Sequence, residues 1–209
     1  MPMKLSSREY RDMTMSAIER REEDDNSMNV SGYASTFDEP YTLYEDESWK
    51  FQEVVDKNAF KNTDMSDVIM QYDHEGRVFA RNSNGTLKVG TDNHGLLVEA
   101  DLSGTEIGRQ LYEEIKGGYT NKMSFGFTID GADILDTKTE DGKDLTIRTI
   151  TSIRKLYDVS AVSIPANNAT EISVRNLVDG EIERLSAERQ KRKEMHIRDG
   201  NVVERRNST

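Results

Sequence analysis

Tyr119-Thr120-Asn121-Lys122-Met123-Ser124-Phe125-Gly126-Phe127 is the stretch on which the reading of the whole chain turns. Gly117-Gly118 precedes it, and its aromatic content is that of a strand. Met123 and Phe125 straddle Ser124 at strand spacing and read as core residues. A serine held against such tight backbone is a candidate nucleophile, but a hydroxyl is a weak nucleophile at neutral pH until a base takes its proton. The chain has three histidines. His74 ends the run Val68-Ile69-Met70-Gln71-Tyr72-Asp73, which reads as a buried strand.

Upstream, β-formers spaced by small residues predict a strand over Met28–Phe37, closed by Asp38-Glu39-Pro40, and another over Trp49–Val55. Asp56–Phe60 reads as a turn or a short helix. Asp67–Asp73, Arg77–Arg81, Thr86–Gly90 and Leu96–Leu102 follow as strands. Asn82–Gly85 and Thr91–Gly95 separate the last three and have the composition of hairpin turns. Successive short strands without a helix between them predict a mainly β (α+β) fold, an antiparallel barrel or sandwich with few helices. One helix is expected over Thr105–Lys116, with Ile107, Leu111 and Ile115 on one stripe and Gly117-Gly118 as its stop.

Downstream, Ile134–Asp136 and Leu145–Ile153 flank a hairpin turn at Asp141-Gly142. Lys155–Ile164 alternates as barrel wall until Pro165 ends it, with Asp158 an unusual residue inside it. Three segments are expected: residues 1–27 as a charged arm with a first strand or frayed helix near Thr14–Ile18 and an exposed turn at Arg20–Asn26, residues 28–175 as the β-barrel domain, and residues 176–209 as a helix over Asp179–Lys193 with a disordered end from Arg198.

Composition narrows the function. The chain has 209 residues, 34% hydrophobic and 32% charged, with a net charge of −11. That acidity, without a basic patch before residue 176, speaks against nucleic-acid binding. The absence of cysteine removes disulfides and thiolate metal sites, and the dispersed histidines show no metal-ligand spacing, so no metal or cofactor is expected. No apolar run approaches a membrane span, and Met1–Tyr10 lacks the core of a signal peptide, so a soluble cytoplasmic protein without membrane partners is expected.

His74, Ser124 and Asp158 each sit in or at the end of a β-segment, where a closed sheet brings distant residues together. A carboxylate behind the imidazole fixes its tautomer and stabilises the imidazolium formed during acyl transfer. Without a Gly-x-Ser-x-Gly elbow, an α/β-hydrolase is not expected. The other reading of Asp158 is a buried carboxylate paired with an arginine such as Arg154. His94 lies in a turn and His196 in the charged tail, so neither competes with His74.

These residues resemble the prohead maturation proteases of tailed bacteriophages, distant relatives in fold of the herpesvirus assemblins. The resemblance rests on Gly32-Tyr33-Ala34, Asp56–Phe60, Asp73-His74 and Gly95–Ala100, then on Met123–Phe127 and Leu156–Val162 running into Pro165-Ala166-Asn167. It spans about residues 14–175 in consistent order. It implies His74 as general base, Ser124 as nucleophile and Asp158 at a position commonly glutamate, in a closed, mostly antiparallel barrel with a few flanking helices. It also implies cleavage of the scaffold and of the major capsid protein's delta region inside the assembling prohead in the host cytoplasm, self-cleavage, and self-association. The alternatives are a non-catalytic capsid-assembly or scaffold-type protein on the same fold, and a small host hydrolase that would turn over simple esters.

Residues 176–209 hold eight basic and seven acidic side chains, net +1, leaving −12 for the rest. With Ile182 and Leu185 as their few apolar contacts and basic clusters at Lys191-Arg192-Lys193 and Arg205-Arg206, they suit docking on a shell or scaffold; a helix packed on the barrel is the other reading. A chain ending near Asn176 is expected to keep its melting temperature and its cleavage of added substrate, and to fail to enter proheads. Melting several degrees lower, or normal incorporation, would show that the tail is part of the fold.

Overall fold

The longest element is a hairpin. Gly142, with φ of 86°, closes the turn Thr139–Lys143, whose ends are joined by Thr139 N–H donating to Lys143 O at 2.8 Å. From it run β10 (Lys122–Lys138) and β11 (Asp144–Val162), antiparallel along their whole length. The computed structural model describes residues 8–17, 19–20, 27–162, 183–184, 186–192 and 194–195. Each of these two strands corresponds to two shorter ones in the sequence reading. Register shifts between Gly126 and Ala132 let the strands bend without ending, and this breaks the alternation that would have revealed one long element.

The remaining strands are β1 (Glu9–Ala17), β2 (Glu19–Arg20), β3 (Asn29–Thr36), β4 (Tyr41–Glu45), β5 (Trp49–Val55), β6 (Ile69–Tyr72), β7 (Glu75–Arg81), β8 (Leu87–Thr91) and β9 (Gly95–Asp101). Among the described residues they form two sheets. The first has the order β1-β10-β11-β5-β4, with β6 on β11 and β7 on β6; the second has the order β2-β3-β9-β8. The mainly β fold is as expected. Seven pairings are antiparallel, and the two parallel ones, β5 and β6, both lie on β11.

Thr91–Gly95 is the expected hairpin turn, between β8 and β9. Asn82–Gly85 is not. It forms a 3-10 turn ended by Gly85 at φ of 80°, and it carries the chain from β7 in one sheet to β8 in the other. Turn chemistry specifies a reversal of direction, whereas the partner strand is chosen by distant packing.

The helix α1 (Glu106–Lys116) starts where Thr105 Oγ1 accepts from Gly108 N–H at 3.0 Å, and it buries Leu111, Tyr112 and Ile115. These join Met123, Phe125, Phe127, Leu156, Val159, Ala161, Val68, Met70, Leu96 and Val98 in one core. Residues 183–184, 186–192 and 194–195 are helical and belong to a separate unit, 168–209. The strand end at Pro165, most of the Arg20–Asn26 turn and the segment from Arg198 lie outside the described residues. Among those described, no helix is long and apolar enough to cross a membrane.

A buried ionic cluster fastens β1 to the first sheet. Glu53 of β5 accepts from Arg11 Nε at 2.6 Å and from Arg148 Nε at 2.6 Å, and also from the Tyr41 hydroxyl. Glu9 accepts from Arg148 Nη2 at 2.9 Å and pairs with Arg11. Two carboxylates and two guanidiniums balance, which is what makes their burial tolerable. Burial pushes the Glu53 carboxyl up, but Arg11 and Arg148 outweigh it and hold the pKa at about 2. A depressed carboxylate stabilises the fold above its unfolded pKa, and that contribution is lost as pH falls towards the folded value. Denaturation series from pH 7 to about pH 2 should therefore show stability falling below about pH 4.5. Glu53→Gln should lose about 3–5 kcal/mol at neutral pH and flatten that acid slope. An unchanged slope would remove Glu53 from the account.

Candidate active site

Strand alternation places the site. Met123 and Phe125 are fully buried in the core, so Ser124 between them faces the other side of β10. The ladder pairs Ser124 with Ser160 and Gly126 with Asp158, and this brings Asp158 and Ser160 of β11 to the same face.

His74 arrives from a different direction. β6 runs parallel to β11, pairing Tyr72 with Ala161, and ends in a two-residue turn, Asp73-His74, before β7 begins at Glu75. Both turn residues have left-handed backbone, with φ of 48° and 61°, as a tight hairpin requires. Asp and His are among the non-glycine residues that adopt it most often. Asp73 N–H donates to Ala161 O at 3.0 Å and His74 N–H to Ser160 Oγ at 3.2 Å, so the turn is bonded to β11 itself.

The three residues singled out in the sequence lie together. His74 Nε2 is 2.5 Å from Ser124 Oγ, and His74 Nδ1 is hydrogen-bonded to Asp158 Oδ1. Ser160 Oγ lies 3.2 Å from Nδ1 and donates to Asp158 Oδ1 at 3.3 Å. With Nδ1–H directed at the carboxylate, Nε2 carries the lone pair that faces the serine hydroxyl. The serine has one proton and a second acceptor for it, Arg11 O at 2.9 Å. Ser124, Asp158 and Ser160 have no exposed surface.

Asp158 does have an arginine partner, although not Arg154, which pairs with Asp130 at the surface at 2.6 Å. The partner is Arg8, bonded to Asp158 Oδ2. The Arg8 guanidinium also lies 5.2 Å from the centre of the Tyr10 ring and 4.6 Å from that of Tyr157. Tyr10 in turn packs on the His74 ring at 4.4 Å between centroids. Burial pushes the Tyr10 phenol up, so it stays protonated. His94 sits against Tyr33 in its turn, and His196 lies outside the described residues. Ser160 is a site residue that sequence reasoning missed although its signal was present, two positions from Asp158 on the same face. Arg8, Tyr10 and the Arg11 carbonyl had no such signal.

A model of the caudovirus prohead serine protease family matches residues 16–183. The chain belongs to that family. It is thus a prohead serine protease, acting in phage capsid assembly and maturation. Among solved structures, the bacteriophage T4 capsid assembly protease gp21 is similar at 10% identity and a TM-score of 0.42, over 76% of this chain and 98% of that one. Comparison with curated proteins gives no match.

Gly126 of the protease shows how closely the site is packed. A Cβ there would stand 2.3 Å from Asp158 Oδ2, 2.9 Å from Tyr10 Cε1 and 3.0 Å from Arg8 Nε. Gly126→Ala should displace the Asp158 carboxylate, costing about 1–3 kcal/mol and a larger fraction of the cleavage activity. Wild-type melting and wild-type cleavage in that variant would show that the packing has been misread.

Proposed function

We propose that Ser124 is the nucleophile of this protease, His74 its general base and Asp158 the carboxylate that orients the imidazole. The observation that carries this is the continuous chain Ser124 Oγ, His74 Nε2, His74 Nδ1, Asp158 Oδ1. Ser124 Oγ attacks the scissile carbonyl carbon while His74 Nε2 takes its proton. The imidazolium, stabilised by Asp158, returns that proton to the leaving amine. Water then cleaves the acyl-enzyme by the same proton route.

The substrates assigned to the site are the scaffold and the delta region of the major capsid protein, cut inside the assembling prohead in the host cytoplasm, together with the protease itself. A cleft of about 570 Å³ between the His74 hairpin and α1, lined by Tyr72, Glu75, Arg77, Phe79 and Gln110, is the approach assigned to substrate. The two sheets are read as the wall of one barrel. In support of this, β1 and β2 are adjacent in the chain but lie in different sheets, and β7 passes to β8 across the second junction. Residues 28–162 with the N-terminal strand make the catalytic body, and residues 176–209 serve to dock it on the shell or its scaffold.

Co-expression with the major capsid protein and mass analysis of the products tests the assignment. Ser124→Ala and His74→Ala should each abolish processing, and the double variant should be no worse, because the pair acts as a unit. Asp158→Asn should lose less than Ser124→Ala. Cleavage should fall as pH drops towards about 5, because only the neutral imidazole accepts the serine proton. Processing that survives Ser124→Ala, or a flat profile from about pH 5 to 8, would overturn the assignment.

A further inference from the structure

Asp158 has two carboxylate oxygens and no exposed surface. Oδ1 serves His74 and Ser160; Oδ2 serves Arg8. A buried carboxylate oxygen without a donor is costly and leaves the group free to turn away from its other partner. Arginine is the side chain suited to prevent this, since it is charged at every working pH and its planar fork fixes the group it binds.

The molecule also makes room for this arginine. Gly126 leaves open the space beside Arg8 Nε, and the rings of Tyr10 and Tyr157 both lie against the guanidinium. Arg8 precedes the residues matched by the family model, 16–183, and stands one residue before β1. It reaches the site because β1 pairs with β10, Tyr10 opposite Gly126, directly beside Ser124.

We propose that Arg8 is a positioning residue of the protease, acting through Asp158 to turn the carboxylate towards His74 and to keep the imidazole neutral at lower pH than the carboxylate alone would allow. This rests on the assignment of Ser124, His74 and Asp158 given above. The charge argument has a definite sign. A carboxylate favours imidazolium, and a cation on its far oxygen offsets part of that field. Among the described residues, Tyr10 packs on the imidazole, Ser124 of β10 and Asp158 and Ser160 of β11 bond to it, Asp73 and Glu75 are its charged chain neighbours, and Arg8 is a cation held on the far oxygen of Asp158. Removing its charge therefore raises the pH at which His74 protonates. A guanidinium that served only as a staple between β1 and β11 would alter stability without moving that titration.

The test uses the full chain in a Ser124→Ala background, where self-cleavage does not interfere. The chain has three histidines, so the imidazole Cε1–H signal of His74 is assignable by NMR from its loss in His74→Gln. Arg8→Met keeps the apolar stem and removes the charge; the His74 titration midpoint should move up by at least about half a unit. Arg8→Lys should bring it most of the way back. In the Ser124-containing protein, the acid limb of capsid-protein cleavage should move in the same direction. If Arg8→Met is not folded, Arg8→Gln provides the same comparison. A midpoint that is the same with arginine and with folded methionine or glutamine at position 8 overturns the proposal. The parent assignment fails separately, by processing that survives His74→Gln, and the NMR titration can be read in either case.

Discussion

The structure depends on β11 having both of its edges occupied. β10 pairs along one edge, and the other is taken in succession by β5 against Asp144–Ile150, by residues 56–64 through single backbone bonds, and by β6 against Asp158–Ala161. Asp56 N–H donates to Ile150 O, Ile153 N–H to Ala59 O, Asp64 N–H to Arg154 O and Leu156 N–H to Asp64 O, so the chain between β5 and β6 is bonded to the strand it crosses. A strand held in this way cannot slip by one residue without exchanging its two faces. Ser124, Asp158 and His74 are each indexed to it by backbone bonds, and the site needs no long loop to position any of them. The cost falls on Asp73 and His74, whose left-handed backbone is about 1–3 kcal/mol unfavourable at each residue.

β1 joins two charged assemblies. Its alternation sends Glu9 and Arg11 to the buried cluster with Glu53 and Arg148, while Tyr10 and the preceding Arg8 go to His74 and Asp158. The main chain between them offers the Arg11 carbonyl to the serine hydroxyl. The position of β1 against Ser124 is thus determined by ion pairs in the interior.

That arrangement also explains what could be read from the sequence. β3, β5 and α1 follow their apolar patterns closely, and Ser124, His74 and Asp158 stood out because each interrupts or ends such a pattern. β1 showed no apolar alternation, since its inward residues at Glu9 and Arg11 are charged and balanced by partners more than 40 positions away. β4 was missed because Tyr41–Glu45 has no fully buried residue and therefore no alternating inward stripe. The parallel pairings of β5 and β6 with β11 are choices between distant segments, on which local periodicity is silent.

Ser124, finally, has no exposed surface, and its hydroxyl lies between an imidazole and a main-chain carbonyl. For the nucleophile proposed above, a peptide carbonyl reaches bonding distance of Oγ only when part of that enclosure gives way. The observed rate of the first bond-breaking step is then the intrinsic rate multiplied by the fraction of molecules that are open, and each 1.4 kcal/mol in favour of the closed form lowers it about tenfold. Under that assignment, catalytic competence and availability are separate quantities, and contacts that leave the chemistry untouched can still decide when cutting begins.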